Sequence, residues 1–118
     1  MAYVFSMTSK ALFQKLYRIS SEHDVPIFVV GGYVRDRLMG LTTSYDIDFV
    51  VLGSGIEFAR LLANEYDGED FVAFEEFDTA RVRLGEYFLE FAGARSESYD
   101  KSSRKPDVSP VKSLEEDL

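Results

Sequence analysis

The segment SYDIDFVV, Ser44 to Val51, decides how the chain is read. Two acids one residue apart, Asp46 and Asp48, stand at the head of an apolar run. A buried strand does not tolerate ionised carboxylates unless something offsets their desolvation. Side chains two apart on a strand share a face. Asp46 and Asp48 would therefore stand side by side, about 7 Å apart at Cα for a rise of about 3.4 Å per residue. Ile47 and Phe49 would point the other way, into a core. Such a pair suits a hard cation, and oxygen-only ligands favour Mg²⁺, which keeps waters and takes further oxygens from phosphates. A bare D-x-D reads more simply as two solvated acids in a loop before the strand.

Immediately upstream lies VVGGYVRD, residues 29–36. A strand that ends in Gly31-Gly32 and passes at once into a helix presents backbone N–H groups at a positive helix end, which suits phosphate. Glycine also removes the Cβ that would hold a phosphate at a distance. Arg35 lies one turn into that helix and can reach the same anion with a forked donor. Asp36 can brace the turn or pair with an arginine. Taken alone, Gly-Gly is a tight turn and Arg-Asp an exposed pair. Together with the acids, they supply a phosphate cradle and a cation site on consecutive strand ends, both halves of a nucleotidyl-transfer site.

Further outward, Leu12, Phe13, Leu16, Tyr17 and Ile19 recur at helical spacing and predict a first helix from Thr8 or Ser9 to about Glu22. Pro26 opens the strand IFVV. Residues 33–39 form a short second helix stopped by Gly40, and DIDFVVL is the second strand. Gly53-Ser54-Gly55 turns the chain into a third helix whose buried face is Ile56, Ala59, Leu62, Ala63 and Tyr66. DGED reads as a loop. Strands follow at about 71–75, 79–84 and 86–92, with a hairpin turn at Leu84-Gly85-Glu86. The polar stretch 94–112 reads as a mobile loop, and SLEEDL as a capped helix start. The expected architecture is an α/β (α+β) fold: a mixed five-stranded sheet with helices mainly on one face, one domain over residues 1–118.

Composition narrows the function. The 118 residues carry a formal charge of −8, no cysteine and one histidine, His23. Disulfides and thiolate zinc sites are excluded, and a single histidine argues against a histidine-based metal site. With no apolar run of membrane length and no signal-like start, a cytoplasmic protein with no membrane partner is expected. Eight acids face a single arginine between residues 57 and 78, whereas residues 1–56 balance. Such a domain is a poor stand-alone binder of nucleic acid. His23 reads as a helix-end residue, and the acidic run 65–78 as a solvated face. Phe71, Phe74, Phe77, Tyr87, Phe88 and Phe91 read as core or hairpin packing. Gly53-Ser54-Gly55 is not a dinucleotide fingerprint, because Phe58 occupies the third small position.

G-G-x-x-R-D, a short helix ending in glycine, and D-x-D-F on a strand together resemble the signature of the DNA polymerase beta superfamily. More narrowly, the chain resembles the bacterial class II tRNA nucleotidyltransferases (CCA-adding enzymes) and their poly(A) polymerase relatives. VVLGSGIEFARLLA, FDTARVRL, FLEFAGARSESY, SRKPDV and SLEEDL follow in the family's order, so the likeness covers roughly residues 27–118. It implies the nucleotidyltransferase fold, Mg²⁺ held by Asp46 and Asp48, and triphosphate contacts from Gly31, Gly32 and Arg35. It also implies Glu90 as a third acid on a neighbouring strand, with a plain edge glutamate as the alternative. Arg95 would touch phosphate or RNA, or else stand solvated. The implied reaction transfers CMP or AMP from CTP or ATP to the 3′ end of tRNA. SLEEDL would run on into an R-R-D segment, a neck and a tRNA-binding body. The chain is therefore expected to be a catalytic head, inactive on its own, of unknown oligomeric state. A poly(A) polymerase head, or a non-catalytic nucleotide- or metal-binding module, is the alternative.

Overall fold

The computed structural model describes residues 9–31, 45–94 and 109–110. Its elements are α1 (Ser9–Glu22), β1 (Ile27–Val30), β2 (Asp46–Leu52), α2 (Gly55–Tyr66), β3 (Glu69–Phe74), a 3₁₀ turn (Glu75–Phe77), β4 (Thr79–Leu84), β5 (Tyr87–Ala94) and β6 (Ser109–Pro110). The strands form one mixed sheet in the order β3-β4-β5-β2-β1-β6. β2 lies inside it, parallel to β5 and antiparallel to β1. A parallel neighbour requires a crossover connection, and here α2 and the β3–β4 hairpin make up that crossover.

Both helices cover the same face. α1 presents Leu12, Phe13, Leu16 and Ile19, all sealed from solvent, at the spacing expected of a buried helical stripe. Phe13 meets Phe49 of β2 edge-on at 6.1 Å, and Phe58 of α2 meets Phe91 of β5 at 5.2 Å. Phe49 and Phe91 stack across the parallel pair at 5.0 Å. Each such ring contributes about 1.5–3 kcal/mol by leaving water. β2 follows the same rule residue by residue: Ile47, Phe49 and Val51 are buried, while Asp46 and Asp48 are exposed.

α2 begins on Ser54, whose hydroxyl accepts from the Glu57 amide at 3.2 Å. Asp78, in the left-handed region at φ 50°, fixes the same end from across the fold. Its Oδ1 accepts from the Ser54 hydroxyl at 2.9 Å and the Ile56 amide at 3.2 Å, and its carbonyl accepts from the Gly93 amide at 2.9 Å. Only glycine fits at 55 and 93, because a Cβ would lie 2.5 Å from the Phe91 carbonyl or 2.2 Å from Asp78 Oδ2.

Several expectations are corrected. DGED is not a loop throughout: Glu69 and Asp70 begin β3, because both pair with Arg83 of β4, Asp70 at 3.1 Å. Asp70 takes φ 58° at the register shift between Glu69 and Val72. Asp78 of the acidic run is a cap and not merely solvated. Phe58, absent from the expected helix face, is only 2% exposed, while Ile56, Ala63 and Tyr66 are half-buried. Of the six β-region aromatics, Tyr87 and Phe91 are core, but Phe74, Phe77 and Phe88 are exposed. Within 94–112, Ala94 closes β5 and Ser109–Pro110 pairs with β1; the rest of that stretch, the expected second helix and SLEEDL lie outside the described residues. No helix among the described residues is long and apolar enough to cross a membrane.

Candidate active site

The sheet face opposite the helices is organised as cross-strand rows. Antiparallel and parallel partners alike put their side chains on the same side. One row runs Glu69, Arg83, Phe88, Asp46. The next runs Val72, Arg81, Glu90, Asp48, Val30. A third runs Phe74, Thr79, Ala92, Val50, Phe28. Asp46 and Asp48 thus sit on an interior strand with Phe88 and Glu90 as their direct neighbours on β5. The face is concave over about 420 Å³, lined chiefly by Asp46, Asp48, Asp70, Arg81, Phe88 and Glu90, within the about 300–1,000 Å³ typical of small-molecule sites.

Asp48 is the electrostatic centre. Its carboxyl is held above the ordinary aspartate range, first by partial loss of water in the concavity, then by the negative charges of Glu90 and Asp46; Arg81 opposes the rise. A group in this position gains from an added cation, because the nearby positive charge favours its ionised form against the desolvation and the like charges that disfavour it. Two carboxylates on one face, with like charge accumulated around one of them, therefore fit a hard divalent ion. Glu90 does not close on the pair. Its Oε1 lies 3.2 Å from Arg81 Nε, and among the described residues no three acidic or histidine side chains converge closely enough to hold a metal together.

Gly31 stands beside the acids. It follows Val30, the register partner of Asp48, and adopts φ 78°, a left-handed conformation suited to glycine. A Cβ there would sit 3.9 Å from Asp48 Oδ2. The structure thus brings together Asp46, Asp48, Glu90 and Gly31. Gly32, Arg35, Asp36 and Arg95 lie outside the described residues. Sequence reading gave Arg81 and Arg83 no role and took Phe88 for core or hairpin packing. The signal was the alternation in TARVRL and YFLEF, which puts both arginines on one side of β4 and Phe88 with Glu90 on one side of β5.

Known proteins resemble the chain in sequence and in fold. An A-adding tRNA nucleotidyltransferase of Aquifex aeolicus is 46% identical over 91 residues, covering 77% of this chain and 11% of that protein. The Thermotoga maritima CCA-adding enzyme, solved in complex with tRNA, superposes with a TM-score of 0.68 at 38% identity, covering 76% of this chain and 22% of that one. A tRNA nucleotidyltransferase solved with a primer tRNA and an incoming ATP analogue superposes with a TM-score of 0.63 at 40% identity, covering 78% and 26%. The chain thus spans only a minor part of each relative's length. Residues 27–118 match the poly A polymerase head domain from the start of β1 onward, and the chain belongs to that family.

Proposed function

We propose that the chain is the catalytic head of a tRNA nucleotidyltransferase, which transfers CMP or AMP from CTP or ATP to the 3′ end of tRNA. The observation that carries this reading is the Asp46–Asp48 pair on the face of an interior strand that the described helices leave open, with the Gly31 turn against it. In the reaction a 3′-hydroxyl oxygen attacks the α-phosphate and pyrophosphate leaves. Asp46 and Asp48 would hold Mg²⁺. When bound, Mg²⁺ supplies charge neutralisation at the phosphates and a lowered pKa for the attacking hydroxyl. Gly31, Gly32 and Arg35 would contact and orient the triphosphate, so that donors meet the charge of the leaving pyrophosphate. Glu90 and Arg95 complete the proposed set, and a cytoplasmic location goes with it.

Calorimetric titration of CTP and ATP with Mg²⁺ tests the reading on the parent chain, Asp46→Ala and Arg35→Ala. Binding of both nucleotides by the parent, lost in each variant, is the expected outcome. Binding that survives Asp46→Ala unchanged would sink it. In the full-length protein, Asp46→Ala or Asp48→Ala should abolish transfer while leaving the fold intact.

A further inference from the structure

Two arginines lie on the acid face, and the rows treat them differently. In the first row the ring of Phe88 stands between Arg83 and Asp46, and Arg83 is occupied at the far edge by Glu69, Asp70 and the Gly85 carbonyl. In the second row nothing apolar intervenes. Arg81 faces Glu90, and Glu90 faces Asp48, on three consecutive strands. Arg81 is also held from behind, its guanidinium lying 5.3 Å from the centre of the Phe74 ring. With one side on a ring and Nε on Glu90 Oε1 at 3.2 Å, it draws the Glu90 carboxylate toward β4 and away from β2.

We propose that Arg81 is a positioning residue of the cation site: by pairing with Glu90 it keeps that carboxylate off the Asp46–Asp48 pair and so sets how tightly the pair binds a divalent cation. Arg81 acts as a resident counter-ion for Glu90 on a face where three acids stand in neighbouring positions. A divalent ion at Asp46 and Asp48 competes with it for Glu90. Cation affinity is thereby held below what the three carboxylates would give together. This inference rests on the acid pair being the cation site.

The test is titration of Mn²⁺ alone into the chain, with free Mn²⁺ read by electron paramagnetic resonance. The parent is compared with Arg81→Gln, Arg81→Lys, Glu90→Gln and the Arg81→Gln/Glu90→Gln double variant, folding being checked by far-UV circular dichroism. Arg81 is well exposed, its side chain 62% accessible, so these variants should keep the fold. Arg81→Gln should tighten Mn²⁺ binding by about two- to fivefold, the range open to an exposed ion pair. Arg81→Lys should restore the parent affinity, and in the Glu90→Gln background the Arg81→Gln gain should vanish. Unchanged or weaker binding in Arg81→Gln overturns the inference, as does an equal gain without Glu90. Failure of the parent to bind Mn²⁺ overturns the acid-pair reading and this inference together.

Discussion

Along β5, Leu89 and Phe91 are sealed while Phe88 and Glu90, their immediate neighbours, remain open; along β2 the same alternation separates Ile47, Phe49 and Val51 from Asp46 and Asp48. The two faces of one sheet are thus made from the same strands under opposite constraints. On the helix side the buried positions hold packed rings and aliphatic chains, so a change in volume is felt. On the other side the residues hold charge close together, and Asp48 shows the strain of it. The period of two lets adjacent residues serve stability and chemistry separately. The face proposed to work on a substrate is therefore the one that contributes least to the buried core.

Paired substitutions on one strand test this division most severely. Phe91→Ala, which empties a site contacting both Phe49 and Phe58, should cost about 3–5 kcal/mol in urea unfolding. Phe88→Ala, on a ring 55% exposed, should stay within about 0.5 kcal/mol. Equal losses would erase the distinction between faces. Next comes Gly93→Ala, whose Cβ would meet Asp78 Oδ2 at 2.2 Å and the Gly53 carbonyl at 2.6 Å; a loss of about 1–3 kcal/mol is expected. Asp78→Ala removes an acceptor from the Ser54 hydroxyl and the Ile56 amide and should cost about 1–2 kcal/mol.

The smallest effect has the opposite sign. Asp48 has a raised pKa in the fold, so the native state keeps its proton to higher pH than the unfolded chain does. Stability is then lost as pH rises from the ordinary value of 3.8 through the raised native one, and stays lost above it. Asp48→Asn should therefore raise Tm slightly at pH 7 in metal-free buffer, and the gain should disappear well below pH 3.8. A lower Tm for Asp48→Asn at pH 7 would show that the acid face supports the fold after all.

Much of this division was legible in the sequence. The alternation of DIDFVVL put both aspartates on one side, and the helical stripe from Leu12 to Ile19 marked the covering helix. Gly31 carried its own signal, because a strand that ends in paired glycines must turn sharply. What escaped depended on neighbours that only the tertiary fold supplies. Glu69 and Asp70 look like loop residues until Arg83 stands opposite them. Phe58 and Phe88 are equally apolar, and residue type alone does not say that one is buried and the other exposed. Arg81 gains meaning only through the row that joins it to Glu90 and Asp48, and register between separate strands is not written in any single segment.

That row spans strands of very different ancestry along the chain. β3, β4 and β5 follow one another through tight turns, so their pairing closes only short loops. β2 joins β5 in parallel, across everything between them, and non-local pairings of this kind form slowly. Pulse-labelled amide exchange during refolding should accordingly protect β4 and β5 before Asp48 and Phe49. A chain emerging from the ribosome has made both aspartates long before the strand that supplies Glu90 is available. The two aspartates therefore acquire their neighbours on β5 only after that strand has been made and has closed against β2.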